Sequence, residues 1–135
     1  MKHITFYFDV ISPFAYLAFE KLPHALEGLS YQVSHRPVVF GALLSHFGQV
    51  GPAEIAPKRE WTYRQIQWLA KAQGTPLQMP ANHPFNSIVL LRLGLACHQA
   101  GLAGDCNRYV TETIFRHVWQ GGHDAADPQR LQALV

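Results

Sequence analysis

The stretch that decides the fold is FYFDVISPFAYLAFE, residues 6–20. Up to Val10, apolar and polar residues alternate with a period of two, which predicts a β-strand. After Pro13, the apolar residues fall at helical spacing. The chain is therefore predicted to change from strand to helix within a few residues, with Ser12 at the N-terminus of the helix.

Ser12 has two interpretations, and its immediate neighbours leave both open. Serine is a favoured N-cap because its side-chain oxygen accepts a hydrogen bond from a first-turn amide, and proline is favoured at the next position. On the other hand, the free amides and the positive dipole end of a helix N-terminus attract an anion, such as a phosphate or a thiolate. A serine hydroxyl in that place can donate a hydrogen bond as well as accept one.

The composition excludes several classes of partner. The chain has 135 residues, about one domain, of which 15% are charged, and its formal net charge is +2. This weak positive charge gives no electrostatic reason to expect a nucleic acid. No stretch has the length and apolar purity of a membrane span, and Asp9 interrupts the N-terminal apolar run that a signal peptide would need. We expect a cytoplasmic protein that binds neither nucleic acid nor membrane.

The cysteines and histidines do not form a metal-binding pattern. Cys97 and Cys106 make no CxxC pair, and the eight histidines include no HExxH pattern. We therefore expect no metal site and reduced thiols, with Cys97 buried in an apolar run.

A second alternating stretch, YQVSHRPV at residues 31–38, predicts another strand, so the chain begins as strand, helix, strand. The remainder is predicted to be helical, apart from loops rich in proline and glycine. The predicted helices cover residues 39–47, 58–73 and 88–100, and Gly74 is predicted to end the second of them. Two more begin at Asp105, as an N-cap, and at Asp127-Pro128. Two strands do not make a stable sheet. Either the chain is truncated, or another copy supplies strands by exchange, or the protein is mostly helical with a stub of sheet.

Four segments, taken in their order and spacing, resemble a known family. They are FDVISPFAYLAFE, HRPVVFGALL, GPAEIAPKREWTYR and PLQMPANHPFN. The resemblance is to 2-hydroxychromene-2-carboxylate isomerases and the related kappa-class glutathione transferases, in the DsbA-like branch of the thioredoxin superfamily. It implies an α/β thioredoxin-like fold with an inserted all-helical domain. Residues 1–40 would form the N-terminal βαβ part and residues 41–135 the inserted helical domain, with the family's C-terminal sheet strands absent from this chain.

The resemblance also implies a function for Ser12. The residues SPFA, at positions 12–15, occupy the place where disulfide oxidoreductases of this superfamily carry Cys-Pro-x-Cys, so dithiol exchange at this site is excluded. In the resembled enzymes, the serine holds the thiolate of glutathione, which adds to a conjugated carbon of a ring-opened aromatic substrate and leaves again after rotation. We therefore expect a glutathione-dependent cis-trans isomerase of 2-hydroxychromene-2-carboxylate-type compounds, working as a homodimer with or without strand exchange.

Two alternatives to this activity stay open. A kappa-like glutathione transferase would use the same activated thiolate, but the sulfur would remain in the product. An inactive truncated fragment would only bind a ligand or dimerise.

The cofactor-binding residues follow from the resemblance. Ser12, Pro13 and Phe14 form the first helical turn, which would receive the glutathione sulfur. Lys58 matches a family lysine near the glutathione site. Alternatively, Lys58 is simply a solvated lysine in the first turn of a helix. Gln49 takes the place where related enzymes often carry asparagine as a further cofactor contact.

Four residues are candidates for the substrate pocket. Trp61, Tyr63 and Phe85 would supply flat apolar walls for an aromatic substrate, or would simply be core residues. Asn86 resembles an asparagine that faces the active site in the family, and it is also placed to cap the next helix. Arg36, near the end of the second strand, either meets a carboxylate or is solvated.

Overall fold

The computed structural model describes residues 1–97 and 104–135. In chain order, its elements are β1 (Lys2–Phe8), α1 (Pro13–Ala25), β2 (Tyr31–Pro37), α2 (Phe40–His46), a 3-10 turn (Pro52–Glu54), α3 (Ala56–Gln73), α4 (Ile88–Ala96), α5 (Arg108–Trp119) and α6 (Pro128–Leu134). The predicted strand–helix–strand beginning is confirmed, as is the helical character of the described remainder. Within the described ranges, no helix is both long and apolar enough to cross a bilayer.

The two strands form a parallel sheet, in which Lys2 pairs with Tyr31 and Phe8 pairs with Pro37. Parallel neighbours need a crossover connection, and α1 provides it. Because both strands run in the same direction, their carboxyl ends lie at the same end of the sheet, and both α1 and α2 begin there. Open α/β sheets bind ligands outside this end of their strands.

The hydrophobic core is built from one face of the sheet and from helices α1, α3, α4 and α5. Aromatic rings occupy its centre, where the ring centroid of Phe115 lies 5.1 Å from that of Phe19 and 5.4 Å from that of Phe8. Along α5, the buried residues recur at helical spacing, as an amphipathic helix requires; they are Thr111, Ile114, Phe115, Val118 and Trp119. The largest fully buried side chains are Trp119, Tyr16, Phe115, Ile66, Leu90, Val10, Val118 and Thr111.

The segment before α5 packs back against β2. The amide of Cys106 donates a hydrogen bond of 2.7 Å to the carbonyl oxygen of His35, in an isolated antiparallel bridge. Beside it, Nε of Arg36 lies 2.7 Å from Oδ1 of Asp105. Arg36 therefore meets a carboxylate, which is one of its two predicted alternatives.

The predicted N-cap role of Asp105 is wrong. Its carboxylate binds Arg36, which holds the pKa of Asp105 below its usual value, and α5 begins three residues later. Asn107 caps the helix instead, because its Oδ1 accepts hydrogen bonds of 2.8 and 3.3 Å from the amides of Tyr109 and Val110.

The prediction of a buried Cys97 is also wrong. This residue follows the last residue of α4 and is exposed, whereas Cys106 is buried. The helix buries only one of its faces, through Leu90, Leu91 and Gly94, so an apolar sequence did not make every side chain a core residue. Residues 98–100 of the predicted helix lie outside the described residues, and the predicted domain boundary at residue 40 stays a prediction.

Candidate functional site

A cavity of about 180 Å³ opens beside the N-terminus of α1. Its walls come from the first turn of α1, from α2, from the 3-10 turn, from α3 and from the loop that precedes α4. Most of them are apolar, which suits an organic ligand that is held by a few polar groups. The lining residues are Ile11, Ser12, Pro13, Phe14, Phe40, Gly41, Leu44, Gly51, Pro52, Ala53, Glu54, Thr62, Tyr63, His83 and Pro84.

Ser12 is the N-cap of α1 and also lines this cavity. Its backbone is extended, and its Oγ accepts a hydrogen bond of 3.2 Å from the amide of Ala15. A hydroxyl has one proton to donate and two lone pairs that accept, so capping leaves the proton of Ser12 available for a ligand. The two interpretations of this serine are therefore geometrically compatible.

Asp9 shapes the turn that leads into α1. Its buried carboxylate accepts hydrogen bonds from two amides, that of Ile11 at 3.1 Å and that of Phe40 at 2.9 Å. Phe40 is the first residue of α2. Asp9 therefore connects the beginning of one cavity-lining helix to the beginning of the other.

His83, in the loop before α4, contacts the same turn. Its Nε2 lies 2.7 Å from the carbonyl oxygen of Ile11, and its Nδ1 lies 2.6 Å from the hydroxyl of Tyr63. The Tyr63 hydroxyl is also within 3.1 Å of the carbonyl oxygen of His83 itself. Burial lowers the pKa of His83 below 6.5, and the hydrogen bond to Ile11 offsets this only in part. Burial raises the pKa of Tyr63.

Sequence reasoning missed His83. The residue precedes Pro84 through a cis peptide bond in the loop before α4, and no periodicity marks it. The available signal was its position inside PLQMPANHPFN, one of the segments that carry the family resemblance.

The structure brings together four of the predicted site residues. Ser12, Pro13, Phe14 and Tyr63 all line the cavity. Phe14 is 42% exposed, so its ring stands at the mouth of the cavity. Their predicted roles toward a cofactor or substrate stay predictions.

The remaining candidates for the substrate pocket lie outside this lining. Trp61 is 63% exposed, so it is not a core residue, whereas Phe85 packs against the core cluster. Oδ1 of Asn86 accepts a hydrogen bond of 3.0 Å from the amide of Ile88. Asn86 thus supplies a side-chain hydrogen bond to the first turn of α4, as a capping residue does, although the N-cap position itself belongs to Ser87.

The two further cofactor candidates, Lys58 and Gln49, are exposed and also lie outside the lining. Lys58 belongs to the first turns of α3, and Gln49 follows α2. Their contacts with glutathione stay predictions. In residues 1–97 and 104–135, no group of three or more His, Cys, Asp or Glu side chains is arranged to hold a metal ion.

Comparison with known proteins identifies the family. Residues 3–135 match the DsbA-like thioredoxin domain. The chain is 30% identical over 134 residues to 2-hydroxychromene-2-carboxylate isomerase of Pseudomonas putida, which covers 98% of the chain and 63% of that protein. It is 31% identical over 137 residues to the Sphingobium xenophagum protein of the same name, with 99% and 67% covered. Glutathione s-transferase kappa 2 of Caenorhabditis elegans is 26% identical over 83 residues, which cover 61% of the chain and 37% of that protein.

The fold agrees with these sequence relationships. A solved structure of a 2-hydroxychromene-2-carboxylate isomerase superposes on 97% of the chain with a TM-score of 0.77 and 27% sequence identity, and 63% of that structure is covered. The chain thus spans about three fifths to two thirds of the length of the isomerases that it matches. It belongs to the DsbA-like thioredoxin family, in the branch that contains the 2-hydroxychromene-2-carboxylate isomerases and the kappa-class glutathione transferases.

Proposed function

We propose that this chain binds glutathione and forms the sulfur-activating part of an isomerase for 2-hydroxychromene-2-carboxylate-type aromatic compounds. The observation that carries the proposal is the position of Ser12, which caps α1 and lines an open cavity. The similarity to proteins named 2-hydroxychromene-2-carboxylate isomerase supports the reaction class.

The donors at this helix end suit an anionic sulfur. Ser12 keeps a hydroxyl proton to donate, and the amide of Phe14, in the first turn, has no intrahelical acceptor. The N-terminal end of the helix dipole adds a positive potential. Because Ala15 stands where a second cysteine would be needed, the site offers an anion-binding turn without a dithiol of its own.

When bound, glutathione would supply a nucleophile that adds reversibly to a conjugated carbon, which permits rotation about the former double bond before the sulfur leaves. A free thiol has a pKa of about 8.5 and is mostly protonated near neutral pH. Ser12 would favour the thiolate by donating to it. The apolar walls, including Phe40, Leu44 and Pro52, would strengthen this hydrogen bond because they exclude water.

A second candidate function is the transfer of glutathione to an electrophile, which the similarity to kappa-class transferases favours. Both functions need the same activated sulfur. They differ in whether the sulfur leaves the product, so product analysis by mass spectrometry separates them. A homodimer stays a prediction for either function.

The test is calorimetric titration of the 135-residue chain with reduced glutathione, followed by assay of the isomerisation with and without glutathione. We expect saturable binding, and turnover that requires glutathione. Ser12→Ala is expected to weaken binding at least about tenfold, because a hydrogen bond to a charged partner contributes about 1.5–3 kcal/mol.

The matched control is Asp127→Ala. Asp127 caps α6 by accepting from the amide of Arg130 at 2.9 Å, so this variant loses a helix cap at a residue that does not line the cavity. It should bind glutathione like the unsubstituted chain. Absence of saturable binding, or turnover that survives removal of glutathione, would contradict the proposal.

A further inference from the structure

The turn between β1 and α1 is held by side chains from two distant parts of the chain and by a backbone hydrogen bond of its own. The carbonyl oxygen of Val10 accepts a hydrogen bond of 2.9 Å from Nε1 of Trp119, and that of Ile11 accepts one of 2.7 Å from Nε2 of His83. The amide of Ser12 donates to the carbonyl oxygen of Asp9 at 3.0 Å. Both polar groups of the peptide that joins Ile11 to Ser12, the Ile11 carbonyl oxygen and the Ser12 amide, are therefore hydrogen-bonded.

The partners of His83 determine which of its nitrogens carries the proton. A backbone carbonyl oxygen only accepts, so Nε2 must donate to Ile11. In the neutral ring, Nδ1 is then an acceptor, and the hydroxyl of Tyr63 at 2.6 Å is the group that donates to it. Tyr63 lies in α3. The Ile11 carbonyl therefore sets the tautomer of His83, and α3 supplies the hydroxyl that pairs with the remaining ring nitrogen.

We propose that His83 is a positioning residue for Ser12: its imidazole, in the Nε2–H tautomer and held at Nδ1 by the Tyr63 hydroxyl, fixes the Ile11–Ser12 peptide and so directs the Ser12 hydroxyl toward the cavity. Without this hydrogen bond, only the Ser12 amide of the Ile11–Ser12 peptide stays bonded, to the carbonyl oxygen of Asp9. The orientation of the peptide, and of the hydroxyl that adjoins it, is then less restrained. Burial favours the neutral imidazole that this arrangement needs. The inference rests on the proposed function, because the proposed function is what places a ligand beside the Ser12 hydroxyl.

The test uses three variants of the full chain. His83→Ala removes both hydrogen bonds. His83→Gln keeps an amide N–H that can donate to Ile11 and a carbonyl oxygen that can accept from Tyr63. Tyr63→Phe removes the hydroxyl alone and leaves the ring in place.

Three measurements are made on each variant: the dissociation constant for glutathione, the stability in urea, and nitrogen NMR of the imidazoles together with the amides of Ile11 and Ser12. The matched control is His117→Ala. The Nε2 of His117 also contacts a backbone carbonyl oxygen, that of Ala125 at 3.0 Å, and His117 does not line the cavity.

We expect His83→Ala and Tyr63→Phe to weaken glutathione binding by about threefold to tenfold, the equivalent of one neutral hydrogen bond. His83→Gln should recover most of the affinity, and His117→Ala should leave it unchanged. In the ligand-free protein, the His83 signal should show a proton on Nε2 and none on Nδ1. The Ile11 and Ser12 amide signals should shift in His83→Ala.

The inference is overturned if folded His83→Ala binds glutathione with unchanged affinity, if His83→Gln recovers nothing, or if the proton lies on Nδ1. If His83→Ala does not fold, Tyr63→Phe and the tautomer measurement decide. If the unsubstituted chain does not bind glutathione, the proposed function fails. The positioning claim is then judged by the NMR measurements alone. Unchanged Ile11 and Ser12 amide signals in His83→Ala, or in Tyr63→Phe if His83→Ala does not fold, would reject it.

Discussion

Nε1 of Trp119 donates a hydrogen bond of 2.9 Å to the carbonyl oxygen of Val10, a residue 109 positions earlier in the chain. Both side chains are completely buried. The bond connects the last residue of α5 to the turn that leads into α1, so the helical part of the chain supports the cavity. A buried carbonyl oxygen that loses its partner is destabilising, because it has also lost its hydration.

Trp119→Phe is expected to lower the free energy of unfolding by about 2 kcal/mol. The smaller ring leaves the Val10 carbonyl oxygen unpaired and the space of the indole partly empty. Urea unfolding measures the change. The matched control is Trp68→Phe at a side chain that is 67% exposed, where the effect should stay within about 0.5 kcal/mol. Equal stabilities for the two variants would contradict the role of the buried bond.

Ser12→Asp separates helix capping from ligand binding. Aspartate is as good an N-cap as serine and carries a charge that suits the helix dipole, so stability should change by less than about 0.5 kcal/mol. The same charge would repel a thiolate, and an ionised carboxylate has no proton to donate. Glutathione binding should therefore be lost in calorimetry. Ser12→Ala, by comparison, should lose about 1 kcal/mol of stability. A Ser12→Asp protein that still binds glutathione would rule out the assigned contact.

The protein should lose stability in mild acid because the fold favours the neutral form of three histidines, one of them buried and two half-buried. Burial lowers the pKa of His35, His83 and His117 below 6.5. Unfolded chains then bind more protons than folded chains as the pH falls below that value, so the free energy of unfolding decreases. The stabilisation is complete above the unfolded pKa and declines as the pH falls through the folded values.

The measurement is urea unfolding at about pH 7.5 and at about pH 5.5, on either side of the ordinary histidine pKa. Replacing His117 by Gln removes one of the three groups and should reduce the difference between the two stabilities. His24→Gln is the control, because His24 is exposed in α1. If the free energy of unfolding changes by the same amount between the two pH values in the His117→Gln and unsubstituted proteins, His117 does not contribute to the pH dependence.

The two cysteines should differ in reactivity toward iodoacetamide. Cys97 is exposed, whereas Cys106 is buried, and burial together with the nearby Asp105 raises its pKa to about 11. Because the thiolate is the species that reacts, the native protein should take up one label and the unfolded protein two. Peptide mass spectrometry locates the label, and Cys97→Ser should abolish labelling of the native state. A label on native Cys106 would contradict the described packing.

Several local features were predictable because they depend on near neighbours in the chain. The change of period around Ser12-Pro13 places the end of β1 and the start of α1. Gly74 ends α3 as predicted, since it adopts a left-handed conformation with φ of 73° that a side chain would disfavour. Asp127 caps α6 through the amide three residues later. The family followed from four local segments in their order.

The errors arose where the surroundings of a residue depended on other parts of the chain. Asp105 has the sequence character of an N-cap, but Arg36 lies 69 positions away along the chain and binds its carboxylate. Cys97 sits in an apolar run, yet the buried face of α4 ends at Gly94. Trp61 has the spacing of an amphipathic helix and is exposed. Hydrophobic periodicity indicates which side chains share one face of a helix or strand. It does not indicate which part of the chain packs against that face.

The sequence by itself determined the strand–helix junction, the serine at its centre, the lack of cysteines at positions 12 and 15 and the family to which the chain belongs. Only the tertiary structure decided that His83, which lies 72 positions after Ile11, would hold the turn before that serine, and that Tyr63 would contact the other nitrogen of its ring. The physical reason is that capping and periodicity act within one helical turn or one strand. A hydrogen bond between distant parts of the chain exists only after the packed core has brought α3, the loop before α4 and the end of β1 to the same place.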